Sequence, residues 1–167
     1  MAEFKACGNP CPRKLVEEKI KKALCGNVPG LFSDKDPQKT MPDSVLNFEW
    51  ELFRHFEFSP LIPADYPAPE PVIPLKYRQL IGIALHSETK CRYCAPFHIA
   101  LAKLAGATDV EIQEAVNYAK HSLGVSAYLN GLDFDLDEFL KELKVLGACL
   151  ERKIPRPQEE AKTGSSS

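Results

Sequence analysis

The stretch Cys91-Arg92-Tyr93-Cys94-Ala95-Pro96-Phe97-His98 holds two thiols three residues apart and an imidazole four residues further on. On a helix, separations of three and four residues put side chains on one face over two turns, so the spacing predicts that Cys91, Cys94 and His98 can touch one another. Pro96 has no amide hydrogen to donate, which suits the first turn of a helix, where N–H groups lack an intrahelical partner. A helix starting near Arg92 or Tyr93 therefore places both cysteines at its N-terminal end, where the positive pole of the helix dipole favours thiolate over thiol. A pair so placed can open and close a disulfide reversibly, and of the two, Cys91 lies closer to the unpaired N–H groups. Two other readings fit the same residues. Two sulfurs and an imidazole can be three ligands of a zinc ion, although zinc modules usually bring a second close pair, and the only other one here is Cys7 with Cys11. All three side chains can also be packed core residues without chemistry, the weakest reading for three on one face.

The elements around this stretch read as helices. Leu15, Val16, Ile20, Ala23 and Leu24 recur at helical spacing after Pro12, with Gly26 placed to end the run. Val45, Phe48, Leu52, Phe53 and Phe56 mark a second helix that begins near Pro42 and Asp43, with Trp50 off its stripe. Six prolines, at 60, 63, 67, 69, 71 and 74, exclude a regular element between Ser59 and Pro74 and predict a stiff strap. From Leu75 to His86 the apolar residues run nearly all round the helix, which predicts a position in the middle of a bundle. The CxxC helix follows from about Cys91 to Ala105, with Gly106 to end it. Thr108 with Glu111 forms a capping box ahead of Ile112, Ala115, Val116 and Ala119, in a helix that can continue past Gly124. Asp135 can cap a last helix carrying Leu136, Phe139, Leu140, Leu143 and Leu146, expected to end at Gly147. The pattern divides the chain into an N-terminal helical extension (1–60), the proline-rich strap (61–74), a core (75–150) and a polar tail (151–167).

Composition bounds what this assembly can do. A chain of 167 residues, 44% hydrophobic and 26% charged, has the make-up of one ordinary globular domain with an added arm. Lys+Arg at 21 against Asp+Glu at 23 gives no electrostatic footprint for a polyanion, so no nucleic-acid partner is expected. No apolar run approaches the roughly 18 residues that span a bilayer, so no membrane partner is expected either. MAEFKACGNPCP lacks an apolar leader, and the expected location is cytoplasmic. Six cysteines in that compartment point to thiol or metal chemistry rather than a permanent disulfide framework.

With CRYCAPFH, AxxxGAT at Ala102 to Thr108, EIQEAV at Glu111 to Val116 and SAYLNGL before the last helix, the chain from about Lys76 to Leu143 resembles the AhpD-like proteins of the carboxymuconolactone decarboxylase superfamily. The resemblance implies an all-α fold, a helical bundle built on a helical hairpin, assembled as a homo-oligomer, a trimer or a hexamer. It implies disulfide or peroxide reduction by the cysteine pair, with no cofactor and no resident metal. Its partners would be a peroxide or disulfide substrate and an external dithiol or redox protein as reductant. By motif, Cys94 matches the attacking cysteine, Cys91 its disulfide partner, and His98 the histidine of a proton relay. The family's relay glutamate, twelve residues before the first cysteine, is here Gln79, which cannot take a proton as a general base. His86 and Glu88, just before the CxxC turn, are the candidates to replace it, and exposed loop polarity explains them equally well. Cys7, Cys11 and Cys25 can be a second dithiol, metal ligands or unrelated thiols on an arm. Cys149 reads as a packed residue, and His55 and His121 carry no assigned role.

The expected function is that of a thiol-disulfide oxidoreductase or thiol-dependent peroxidase. The alternatives are an enzyme of the decarboxylase type, which needs no cysteine pair, and a non-enzymatic zinc- or iron-binding module.

Overall fold

The computed structural model describes residues 13–35, 38 and 40–153; Cys7, Cys11 and the end of the polar tail lie outside the described residues. Among the described residues the chain is all-α, with no strand: α1 (Arg13–Ala23), α2 (Asp43–Phe53), a π-turn (Arg54–Phe58), α3 (Leu75–Thr89), α4 (Cys94–Leu104), α5 (Asp109–Gly131) and α6 (Leu136–Lys153). The chain divides into two compact units between Lys120 and His121, with α5 running through the division.

In the first unit α1 packs on α2. Val16 and Ile20 of α1 meet Leu46 and Trp50 of α2, and Phe32 from the connecting turn closes the cluster. Phe32 stands edge-on to Trp50 with ring centroids 5.6 Å apart, the arrangement aromatic quadrupoles favour. This corrects the expected stripe of α2. Trp50 and Leu46 are fully buried, whereas Val45, Phe48, Leu52 and Phe56 are exposed. The apolar count along α2 is almost even on two faces, and α1 selects the one that carries the larger ring. Beside it Glu51 is buried and bonds both Lys19 and Arg54. Burial alone would raise the Glu51 carboxyl, but the Lys19 and Arg54 cations outweigh it and hold the group below its ordinary range.

The second core lies on the hairpin of α3 and α4, which pack against each other across four linking residues. Ile83, Ala102 and Ile112 are its buried members. Lys90 adopts the left-handed conformation, φ 54°, to turn the chain out of α3, and Gly106, φ 84°, does the same after α4. The capping box forms as expected, with Glu111 N–H donating to Thr108 Oγ1 at 3.2 Å and Thr108 N–H donating to Glu111 at 2.8 Å. Lys76 of α3 also bonds Glu111 at 2.7 Å, and this contact first, then the Thr108 donors, lowers the carboxyl to about 2. The prediction that α3 is buried all round does not hold: Ile81 and Leu85 are exposed, because α4 and the π-turn cover only the side that carries Leu75, Gln79, Gly82 and Ile83.

In the second unit Asp135 caps α6 by accepting from Glu138 N–H at 2.7 Å. The helix does not end at Gly147 but runs on to Lys153, since nothing after that glycine breaks the hydrogen-bond ladder. α6 has no buried residue, so Cys149 is exposed rather than packed.

Candidate functional site

Cys91 and Cys94 are joined as a disulfide, their Cα atoms 5.4 Å apart, a span that needs no backbone distortion. α4 begins at Cys94 rather than at Arg92, so Cys91 stands in the turn before the helix. Pro96 falls in the first turn, where the lack of an N–H costs nothing. The Cys94 N–H donates to Cys91 Sγ at 3.2 Å, which places the helix-end donor on the first sulfur rather than the second.

The imidazole beside the sulfurs is His86. One ligand-type atom from each of His86, Cys91 and Cys94 lies within 4.8 Å of the others, and His98 is not in that group. Because Cys91 precedes the helix, the three-and-four spacing does not hold for it, and the three predicted side chains do not share one helical face. His98 is instead turned into the hairpin, where it is buried and stacked on His86 with centroids 5.0 Å apart. Glu88 is exposed in the last turn of α3 and makes no hydrogen bond or ion pair with the described residues. Cys25 is exposed and unpaired.

Gln79 is fully buried and meets His98: His98 Nδ1 and Gln79 Oε1 are 2.7 Å apart. The other end of the amide donates to the Glu57 carbonyl at 3.1 Å and to its carboxylate at 3.2 Å. Both of those groups only accept, so the Gln79 nitrogen must face Glu57 and its oxygen must face His98. His98 Nδ1 therefore carries the hydrogen, and Nε2 keeps the lone pair. The Glu57 carboxylate is also 3.6 Å from His98 Nδ1. Burial holds His98 below the ordinary imidazole value, the Glu57 charge opposes this, and the neighbouring His86 adds to it. His98 is thus a neutral base near pH 7.

Glu57 is the residue that reasoning from sequence missed. It lies in the π-turn, closed by Ser59 N–H to the Arg54 carbonyl at 3.0 Å. A π-turn leaves carbonyls without helical partners, and Arg78 of α3 donates to two of them, on His55 at 2.7 Å and on Phe56 at 2.6 Å, and to the carbonyl of Ser59 just beyond the turn. Adjacent residues of α3, Arg78 and Gln79, thus grip the same turn and fix the carboxylate. Phe97 of α4 packs on Phe53 and Phe58, with centroids 5.6 and 6.1 Å away, and seats the start of α4 on this turn. The only sequence signal for Glu57 is its place seven residues after Trp50, once Trp50 is known to face inward.

Gly82 is the second residue missed. A Cβ built there would lie 2.5 to 2.7 Å from Nδ1, Cε1 and Cγ of His98, so the ring rests on the bare α3 backbone. Gly82→Ala is expected to cost about 1–3 kcal/mol, as overpacking does, and to break the His98–Gln79 bond. Urea unfolding checks the first and the His98 ring shifts by NMR the second; a stability change under about 0.5 kcal/mol with unmoved resonances would contradict this packing.

A cleft of about 700 Å³ opens on the other residues of this region, lined by Phe56, Pro71, Val72, Ile81 and Leu85 with His86 and His98 among its walls. No helix among the described residues is long and apolar enough to cross a membrane. No curated protein and no solved structure matches the chain significantly. Residues 64–134, which hold the cysteine pair, Gln79, His86 and His98, match the model of the carboxymuconolactone decarboxylase family.

Proposed function

We propose that the protein is a cysteine-based oxidoreductase that reduces a hydroperoxide or a disulfide at the Cys91–Cys94 pair. The observation that carries the reading is the joined pair beside two stacked imidazoles, one of which is kept neutral by burial and oriented by Gln79, itself bonded to Glu57. Members of the matched family include both decarboxylases and AhpD-like peroxidases, and the cysteine pair favours the second.

In the proposed cycle, the Cys94 thiolate attacks the distal oxygen of a hydroperoxide, the O–O bond breaks, and the alkoxide takes a proton to leave as an alcohol. Cys94 is then a sulfenic acid. The Cys91 thiolate attacks its sulfur, hydroxide leaves as water with one further proton, and the disulfide forms. An external dithiol attacks Cys94 and expels Cys91, whose leaving is helped by the N–H aimed at its sulfur. With a disulfide substrate, the same thiolate attacks sulfur instead of oxygen. His86, nearest the sulfurs, exchanges protons with them, and His98 and Glu57 support it from behind as positioning residues. The apolar lining of the cleft suits a bulky apolar group on the substrate.

The test is consumption of an organic hydroperoxide, or reduction of a small disulfide, with a dithiol as electron source. Turnover that survives loss of both thiols would assign the protein to the decarboxylase type instead. Within the proposal, Glu57→Gln is expected to slow dithiol-dependent turnover about a hundredfold, the usual scale for acid–base support. The Glu57 charge raises the His98 pKa, so removing it lets that pKa fall, and the acidic limb of the pH–rate profile moves to lower pH. An unchanged rate and an unmoved limb would remove Glu57 from the mechanism.

A further inference from the structure

We infer that the reduced cysteine pair and His86 together form a zinc site, occupied in the dithiol state and abolished by the disulfide. This inference needs only reduced thiols and does not depend on the proposed activity. Two sulfurs and one imidazole are the donors zinc prefers, and the three donor atoms already lie within 4.8 Å of one another. Around a tetrahedral ion, with Zn–S near 2.3 Å and Zn–N near 2.1 Å, donors stand about 3.5–3.8 Å apart, a spacing that the sulfurs reach once the bond between them is reduced.

The surroundings of each donor fit that role. The Cys94 N–H points at Cys91 Sγ and would remain as a hydrogen bond to a metal-bound thiolate. His86 Nδ1 is 3.2 Å from Thr89 Oγ1, so that hydroxyl can hold the Nδ1 hydrogen and leave Nε2 to the ion, the usual support for a ligating histidine. The stack on His98 fixes the plane of the His86 ring. His98 cannot take its place, because its Nδ1 is committed to Gln79. All three donors are partly exposed, which gives the ion a way in and leaves its fourth position to water or a small ligand.

Binding moves protons and no electrons: two thiols release two protons as both sulfurs become ligands, and zinc does not change oxidation state. While bound, the thiolates are withheld from oxidation. The ion therefore acts as a reversible cover for the reduced pair, and only the metal-free dithiol is open to reaction.

The experiment is a titration of the full-length chain with zinc chloride against a competing chromogenic chelator, on reduced and on disulfide protein. One zinc per chain is expected for the reduced form and none at this site for the disulfide. Cys91→Ser and Cys94→Ser should each abolish tight binding, which separates this pair from the other four cysteines. His86→Ala should weaken it by at least about tenfold. His86→Asn, with helical content checked by circular dichroism, guards against a variant that fails to fold. Equal binding by the reduced and disulfide forms, or full affinity in a folded His86 variant, would overturn the inference. Thiol counts on zinc-free protein before and after hydroperoxide treatment report separately on the redox reading, so either can fail alone.

Discussion

Cys94→Ser is expected to lower dithiol-dependent hydroperoxide or disulfide turnover by roughly a thousandfold or more, the scale seen when a reacting nucleophile is removed. A serine hydroxyl is not ionised at neutral pH and cannot form the disulfide through which the dithiol returns electrons. Cys91→Ser should differ in kind. Its Cys94 can still attack a hydroperoxide once, but no neighbouring thiol then closes the bond, so the sulfenic acid accumulates and a sulfenate-trapping probe labels one site per chain. Rate and labelling together separate the two sulfurs, which the structure distinguishes by the N–H aimed at Cys91 and by the place of Cys94 at the start of α4. Activity in Cys94→Ser above about a tenth of wild type would show that Cys91 is the attacking thiol, or that neither is.

The second large effect is on stability. Trp50→Ala should destabilise the protein by about 3–5 kcal/mol, read as a fall in the urea midpoint, because the indole is fully buried among Val16, Ile20, Phe32 and Leu46. Trp50→Phe should cost less. The indole N–H is buried without a hydrogen-bond partner among the described residues, so phenylalanine removes an unpaired polar group along with part of the ring. A loss under about 1 kcal/mol in Trp50→Ala would mean that α1 and α2 do not depend on this cluster. The effect should reach the site as well. α2 leads straight into the π-turn that carries Glu57, so a loosened Trp50 weakens the hold on the carboxylate.

What could be read from sequence was what lies within a few residues of itself. The Thr108–Glu111 box, Asp135 as a cap and Gly106 as a stop are local hydrogen-bond or backbone preferences, and each stands where its residue type puts it. The CxxC pair was legible for the same reason. The face of α2 was not, because its apolar residues do not single out one side and the choice belongs to α1 across a turn. The imidazole beside the sulfurs was legible only as a candidate paired with Glu88, while helical spacing pointed to His98. A start of α4 three residues after Cys91 sends His98 toward Gln79 and leaves His86 at the pair. Glu57 depends on a π-turn whose carbonyls are held by Arg78, twenty residues and more further along the chain. Reading it would have needed the tertiary contact first. Gln79 looked like a broken relay because the acid was sought at one position. The structure supplies a carboxylate through the glutamine rather than in place of it.

That detour through Gln79 bears on where the working unit of this protein begins. The family match opens at residue 64, yet Glu57 lies before it, on a turn continuous with the helix that Trp50 anchors. A fragment cut at the family boundary would carry both sulfurs and both imidazoles but not Glu57. The N-terminal helices are therefore tied to the hairpin through Glu57, and a chain shortened to the matched segment is expected to leave Gln79 and His98 without that carboxylate.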